Sequence, residues 1–335
     1  MPDARRVTLR DVAREAGVST PQASLALNGQ GRVAATTTQR VRAAAERLGY
    51  RPNPVARALR SGSASTVGLV TRNLSNSYFL DVLRGMEEVT SAQGTSVVVM
   101  DSGYDVDREL AAVRRMAEHE VRALAIAPVG SSASVEWWRE HRPGSPLVLL
   151  NVTPAPGVVV VGPDNVAAVT VALDHLAGLG HRRVTFVCAP QGDVADDDRT
   201  ATFVARSREL GVEGHVLHTS LQFDAVQGAV AEQLADPRAP RTFLMNSDYT
   251  ASAVYRAARA AGLVVGVDVS VVGHDDIPTS ELLAPAMTTV AFDRREVGRA
   301  AARLLLTPAA GSGTQPRLPV VLRARNSVAD LRGNG

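Results

Sequence analysis

From residue 66 onward, short uninterrupted apolar runs alternate with longer stretches in which apolar residues recur at helical spacing. Nine runs have the length of a strand: 67–70, 96–100, 124–127, 147–150, 158–161, 184–187, 242–245, 269–273 and 288–291. Stretches with helical spacing lie between them at 79–92, 108–118, 166–179 and 250–261. Strands without polar alternation are typical of parallel sheets covered by helices on both faces. The pattern predicts a parallel α/β architecture, and its length predicts two such subdomains.

The first sixty residues differ from the rest of the chain in charge. Residues 1–62 contain eleven arginines and four acidic residues, a net charge of +7, so the remainder carries −5 of the total of +2. A basic block joined to an acidic body indicates a nucleic-acid-binding head on a body with another task.

Composition also indicates the cellular compartment. The single cysteine, Cys188, excludes a disulfide framework and suits a reducing cytoplasm. Residues 1–14 are polar and lack the apolar core of a signal peptide, and no apolar run approaches the roughly 18 residues needed to cross a bilayer. We therefore expect a soluble cytoplasmic protein with no membrane partner.

The basic block contains three short helical patterns. Thr8 precedes the first as a capping residue with Asp11 at the third helical position, and Ser19 with Gln22 has the form of a capping box before the second. Gly17 supplies the turn between them, and residues 36–39 start a third helix. This order predicts a helix-turn-helix, in which Ser19, Thr20 and Gln22 would meet phosphate and base edges. The alternative is a small helical bundle with a charged surface.

The identities of the residues in this region indicate a particular family more specifically than their spacing does. The segment TLRDVAREAGVS at 8–19, Ser24, LNG at 27–29 and LGYRPN at 48–53 closely resemble the headpiece of the LacI/GalR repressors, over about residues 7–62. The resemblance implies a transcriptional repressor that binds double-stranded, palindromic operator DNA as a homodimer, with one recognition helix in each half-site.

The same resemblance assigns DNA contacts residue by residue. Thr20, Pro21 and Leu25 match base-reading positions, and Thr8 and Gln22 belong to the same predicted interface. Residues at phosphate-contacting positions are Ser19, Ser24, Asn28 and Thr37. Pro21 lacks a polar group and Leu25 stands where Arg or His is frequent, so readout there would be apolar, for example against thymine methyls.

Residues 53–60 resemble the hinge helix of the family, which folds when two copies meet on DNA. Asn53 would cap the helix, Leu59 would wedge into the minor groove, and Ala56 and Arg57 would lie at the DNA. Such a segment is too short to be stable alone, so the alternative is a linker with a transient turn.

The body resembles the periplasmic-binding-protein-like effector domain of the same family. We expect a headpiece at 1–62 and an effector-binding and dimerisation domain at 63–335. The N-terminal subdomain would comprise about 66–162 and 294–321, and the C-terminal subdomain about 163–293 and 322–330. With no heptad tail near residue 335, a dimer is favoured over a coiled-coil tetramer.

Polar and aromatic residues follow the predicted strands, where parallel α/β domains bind ligands. By resemblance, a small-molecule effector, a carbohydrate, would contact Asn73, Tyr78, Phe79, Asn151, Arg199, Phe223, Ser247 and Asp275. Guanidinium and carboxylate groups suit sugar hydroxyls, and aromatic rings suit the apolar sugar face. Two alternatives stay open: Phe79 and Phe223 as ordinary core, and Asp248 and Asp276 as helix caps.

Two other classes of function are weaker. An enzyme is disfavoured because Cys188 lies in an apolar strand, while His215 and His218 point to opposite faces of a strand and make a poor metal pair. The sequence predicts no catalytic residues, metal site or cofactor. A solute-binding protein without direct DNA regulation would account for the body. It would not explain the basic head, and an exported binding protein would be expected to carry a signal peptide.

Overall fold

A computed structural model describes residues 7–28, 33–50, 66–130, 133–152, 157, 159–190, 197–307 and 317–332. The chain divides into two compact units, Met1–Ala64 and Ser65–Gly335. The predicted hinge residues Asn53, Ala56, Arg57 and Leu59 lie outside the described residues, as does the side chain of Asn28.

The first unit contains three described helices, α1 (Leu9–Glu15), α2 (Thr20–Asn28) and α3 (Ala35–Arg47). Thr8 caps α1 through the predicted capping box with Asp11, and the Gln22 amide donates to Ser19 Oγ at 3.3 Å. The third helix begins at Ala35, one residue before the predicted start, and Ala34 gives it no side-chain cap. The core between the helices consists of small residues: Val12, Ala13, Ala16, Ala23, Ala26, Val41, Ala44 and Ala45.

The second unit contains two lobes, each built on one six-stranded sheet. The sheet of the N-terminal lobe has the order β11-β5-β4-β3-β1-β2. Its strands are β1 (Thr66–Thr71), β2 (Ser96–Asp101), β3 (Leu124–Ile126), β4 (Leu147–Leu150), β5 (Val159–Pro163) and β11 (Arg317–Leu318). All its described pairings are parallel, with Thr66 opposite Ser96 and Gly68 opposite Leu124. Its helices are α4 (Ser77–Ser91), α5 (Val106–Glu118), α6 (Ala133–His141) and α12 (Arg294–Leu306).

The sheet of the C-terminal lobe repeats this order as β12-β10-β9-β8-β6-β7. Its strands are β6 (Arg183–Cys188), β7 (Glu213–His218), β8 (Thr242–Met245), β9 (Ser270–Asp275), β10 (Thr288–Ala291) and β12 (Val321–Arg323). Only the β10–β12 pairing is antiparallel among those described. Its helices are α7 (Asn165–Gly178), α8 (Asp197–Glu209), α9 (Phe223–Ala235), α10 (Asp248–Ala260) and α11 (Thr279–Leu282).

The predicted parallel α/β architecture is confirmed, with apolar cores on both faces of each sheet. Along β1, Val67 and Leu69 face one core while Val70 faces the other. The chain passes between the lobes near residues 164, 292 and 319, so α12 and β11 return to the lobe that the chain left after β5. Among the described residues, no helix is long and apolar enough to span a membrane.

Two glycines allow α4 and α12 to cross at very short range. A Cβ atom on Gly298 would lie 2.0 Å from the Val82 carbonyl oxygen, and one on Gly85 would lie 2.0 Å from the Arg295 carbonyl oxygen. Side chains larger than hydrogen would therefore force the helix backbones apart. Because α12 also packs in the core beneath β4 and β5, this crossing fixes the returning helix on the N-terminal lobe.

We predict that Gly298→Ala destabilises the protein by at least about 2 kcal/mol, because overpacking a backbone contact costs roughly 1–3 kcal/mol even where neighbours can shift. The matched control is Gly228→Ala in α9, where a Cβ meets nothing within 4 Å. That change is expected to stabilise by up to about 1 kcal/mol, since Ala is the better helix former. Urea denaturation of both variants checks the pair. Equal free energies of unfolding for the Gly298→Ala and Gly228→Ala variants would contradict the prediction that the crossing requires glycine.

Candidate functional site

Buried polar side chains from both lobes converge at the carboxyl ends of their strands. Arg72 and Tyr78 come from the N-terminal lobe, after β1, and Arg199 and Asp275 come from the C-terminal lobe. All four are at most 7% exposed. Burial raises the pKa of the Tyr78 hydroxyl, the Asp275 carboxylate raises it further, and the guanidinium groups of Arg72 and Arg199 oppose the shift. These charges therefore act on one hydroxyl across the cleft.

On the N-terminal side, Arg72 holds the ends of two neighbouring strands. Its Nε donates to the Pro128 carbonyl at 2.9 Å, and its Nη2 donates to the carbonyls of Asn151 at 2.8 Å and Leu150 at 3.4 Å. Asn151 has a φ of 50°, a left-handed conformation that Asn tolerates better than most residues. Its Oδ1 and the Tyr78 hydroxyl are buried, and neither has a hydrogen bond of standard geometry. As a hydrogen-bonding neighbour, the Asn151 side chain lowers the pKa of the Tyr78 hydroxyl, so the two polar groups lie side by side at the cleft.

On the C-terminal side, Asp275 is the last residue of β9 and has a φ of 114°. Its pKa is raised well above the ordinary aspartate value, first by burial and then by the nearby Asp248 carboxylate. Arg199, Arg294 and the Asn76 amide act in the opposite direction. A carboxylate that is costly to keep ionised inside a protein gains most from hydroxyl or amine donors on a ligand.

Asp248 fixes the loops behind Asp275. The carboxylate accepts hydrogen bonds from Ser280 Oγ at 2.6 Å, Thr289 Oγ1 at 2.6 Å and the Ile277 amide at 3.0 Å. Burial nevertheless raises its pKa to about 6. The interpretation of Asp248 and Asp276 as helix caps was wrong: Asp248 binds these three donors, and Asp276 accepts from Arg325 Nη2 at 2.7 Å.

Ser247 performs that capping role for α10. Its Oγ accepts from the Thr250 amide at 3.2 Å and lies 2.9 Å from Thr250 Oγ1. The Asn73 Oδ1 similarly accepts from the Ser75 amide at 2.8 Å. Both predicted contacts are therefore engaged locally, and their effector-binding role stays a prediction.

The two predicted aromatic contacts differ in environment. Phe79 is 3% exposed and packs edge-on against Tyr78 in the N-terminal core, with ring centroids 5.0 Å apart. Phe223 is half-buried at the start of α9, 5.8 Å from the ring of Tyr249 and below the Arg256 guanidinium. Phe79 therefore serves as core, while Phe223 keeps a partly exposed ring.

Three further residues that the fold brings here were not among the predicted effector contacts. Arg72, Asn76 and His274 are all buried. His274 lies 5.4 Å from Phe292, its Nε2 has no hydrogen bond, and its pKa is lowered well below the ordinary value by burial and then by Arg199. The only sequence signal was their position beside Asn73 and Asp275 at strand ends. Among the described residues, no group of His, Cys, Asp and Glu is arranged to hold a metal ion.

The headpiece presents a second candidate site on α2. Ser19, Pro21, Gln22 and Leu25 are exposed, and Thr20 and Ser24 are half-buried. Positions 21, 22 and 25 share one face at the N-terminal end of the helix. The predicted contacts Thr8 and Thr37 lie elsewhere, at the N-cap of α1 and in the first turn of α3, and the Thr8 hydroxyl bonds Asp11 Oδ2 at 2.6 Å.

Comparison with known proteins covers both units. The sequence model of bacterial regulatory proteins of the lacI family matches residues 8–53, and that of the periplasmic binding protein-like domain matches residues 173–328. The transcriptional regulator PtxS of Pseudomonas putida is 31% identical over 314 residues, which span 90% of this chain and 89% of that protein.

Solved structures agree with these matches. The Lac repressor dimer bound to operator and the anti-inducer ONPF is 26% identical, with a TM-score of 0.85 over 97% of this chain and 100% of its own. The complex of the transcriptional regulator CelR with cellobiose is 27% identical, with a TM-score of 0.68 over 96% of this chain and 100% of its own.

We predict that Asp275→Asn raises the Tm at pH 8, because it removes a buried carboxylate while keeping a side chain that tolerates positive φ. A raised folded-state pKa makes the native protein bind more protons than the unfolded chain, so the contribution of Asp275 to stability is present below pH about 4 and is lost as the pH rises. The Tm difference between variant and wild type should therefore widen from pH 4 to pH 8. Thermal unfolding at both pH values checks this, and a constant or negative difference would contradict it.

Proposed function

Because the chain belongs to the LacI family of bacterial regulatory proteins, we propose that it is a dimeric repressor that binds a palindromic operator and changes its operator affinity when a small carbohydrate occupies the cleft. The protein is a DNA-binding transcriptional regulator of the LacI family and not an enzyme.

The first turn of α2 supports the DNA-binding part. Thr20, Pro21, Gln22 and Leu25 would enter the major groove, where the Gln22 amide and the Thr20 hydroxyl are able to bond base edges. Ser19 and Ser24 would contact phosphate, as would Asn28, Thr37 and Thr8 nearby. A headpiece with eleven arginines supplies attraction to the backbone that does not depend on sequence.

The dimer would bring two such helices to the two halves of one site. In the Lac repressor structure a dimer is bound to operator. We extend that arrangement to this chain, with the hinge residues Asn53, Ala56, Arg57 and Leu59 at the centre of the operator. The negative charge of the body, −5 outside residues 1–62, would repel phosphate and confine contact to the headpiece and hinge.

The observation that carries the effector proposal is the set of buried polar groups from two lobes. Tyr78 and Asn151 on one side and Arg199 and Asp275 on the other offer donors and acceptors to a ligand between them. Hydroxyl groups of a sugar can serve both kinds of partner, and the CelR neighbour holds cellobiose. Phe223 would contribute a partly exposed ring, and Asn73, Phe79 and Ser247 would support the site from their local positions.

The effector would act by changing the relative stability of two arrangements of the lobes. Gln222 on the C-terminal lobe donates from Nε2 to the Gly103 carbonyl on the N-terminal lobe at 3.3 Å, so the lobes meet at that rim. A ligand that prefers this arrangement would favour it by its difference in affinity between the two states. Induction and co-repression differ only in which arrangement binds operator.

We predict that Gln22→Ala lowers affinity for a palindromic duplex selected from a random-sequence library by about 1–3 kcal/mol, as expected for loss of a base contact. The control is Gln39→Ala, the same change at an exposed position of α3, which should cost less than about 0.5 kcal/mol. Fluorescence anisotropy at several salt concentrations measures both. Affinity equal to that for random duplex at every salt concentration would refute the repressor proposal.

We predict that Arg199→Ala and Asp275→Ala abolish the response to sugar and leave operator binding intact, because both side chains lie in the cleft of the effector body. D-Ribose, D-glucose, cellobiose and D-gluconate form the test panel, read by Tm shift and by operator affinity. The control is Arg206→Ala, an arginine of the same helix that pairs with Asp174 at 2.7 Å on the surface. Unchanged sugar affinity in both cleft variants would remove the assigned site.

The alternative is a sugar-binding protein without direct DNA regulation. It predicts the same Tm shifts with the panel but no salt-dependent binding to duplex DNA. The two measurements together therefore distinguish the candidates.

A further inference from the structure

Arg294 links the two lobes at the turn that carries Asp275. It is the first residue of α12. Its Nε donates to Asp81 Oδ2 at 2.8 Å, and its Nη1 donates to the backbone carbonyl of Asp275 at 2.7 Å and to that of Asp276. One guanidinium thus bonds a carboxylate on α4 of the N-terminal lobe and two carbonyls of the C-terminal lobe.

The turn at Asp275 and Asp276 is one that needs such support. Both residues have positive φ, 114° and 53°, which costs free energy in residues other than glycine. These conformations direct both carbonyls at the same guanidinium nitrogen. The Arg294 side chain is only 18% exposed and the Asp81 side chain 11%, so water competes weakly for these bonds.

Asp81 places the other end of the link on a helix of the cleft. It lies one turn after Tyr78 on α4, and Tyr78 lines the opposite side of the cleft from Asp275. A displacement of the turn at Asp275 would therefore act through Arg294 on the helix that carries Tyr78. Only a planar, forked side chain can donate in both directions at once, so lysine would not replace arginine here.

We propose that Arg294 is a positioning residue that holds the Asp275 turn against Asp81 and thereby couples the effector carboxylate to helix α4. The proposal rests on the effector role assigned to Asp275.

A neighbouring ion pair supplies the controls. Arg295 lies next to Arg294 on α12 and pairs with Glu88 at 3.5 Å, and Glu88 also accepts from Arg299 at 3.0 Å. Arg295 lies 3.9 Å from Asp81 Oδ1. Because that contact touches the link itself, the controls are Arg299→Met and Glu88→Gln, which remove the ion pair between the same two helices and have no described contact with Asp81 or the turn.

The test is hydrogen–deuterium exchange of the unliganded full chain, read at the amides of Asp276 and Ile277. These amides donate to Thr289 Oγ1 at 3.4 Å and to Asp248 Oδ2 at 3.0 Å. We expect Arg294→Met to speed their exchange at least tenfold. We expect Asp81→Asn, a change in the other lobe, to speed it at least threefold. Arg299→Met and Glu88→Gln should leave it within twofold.

Arg294→Lys keeps the proposal testable if the methionine variant folds poorly, because it preserves the charge beside Asp81. It should still speed exchange at the turn, since an ammonium cannot reproduce the fork. Amides of α9 serve as the folding reference and should be unchanged. Unchanged exchange at the turn in Arg294→Lys and Asp81→Asn, or equal effects of the control variants, would overturn the proposal. Because no sugar is used, this outcome is independent of the Asp275→Ala measurement that tests the proposed function.

Discussion

The close crossing of α4 and α12 is the contact on which the arrangement of the cleft depends. With hydrogen as the side chain at Gly85 and Gly298, the two helices approach until backbone meets backbone. The approach sets the start of α12 beside α4, which brings Arg294 within bonding distance of Asp81. A wider crossing would separate that pair. The position of Arg294, and with it the support of the turn at Asp275, thus depends on two glycines.

The cleft contains buried carboxylates, which cost free energy because ionised groups are poorly solvated inside a protein. Asp248 and Asp275 are buried carboxylates whose pKa values are both raised, chiefly by burial; the Asp248 carboxylate adds to the shift of Asp275, and the Asp276 carboxylate adds to that of Asp248. Asp248 is compensated by three donors from its own lobe. Asp275 is balanced by groups of both lobes, and its full compensation is proposed to come from the effector. The stability lost at this residue would be the source of ligand-dependent stabilisation.

The sequence predicted the fold class and most strands because burial on both faces leaves a local signature of continuous apolar residues. The short strands β11 and β12 have no such signature, since two or three edge residues are defined by their partners. The cleft was predicted in part, through residues at strand ends such as Asp275. Arg72 and Arg294 were missed because their partners are backbone carbonyls and a residue more than 200 positions away, contacts that no local pattern encodes. Asp248 was interpreted as a cap because its actual partners, Ile277, Ser280 and Thr289, lie about 30 to 40 positions further along the chain.

The chain passes three times between the lobes, and this order has a consequence for folding during synthesis. The N-terminal lobe begins with β1, but its helix α12 and edge strand β11 follow the last parallel strand of the other lobe. On the ribosome, the first lobe to emerge therefore lacks part of its core until the second is almost complete. The lobe translated first is finished second, and exposed apolar surface on its unfinished sheet would have to be shielded during that interval.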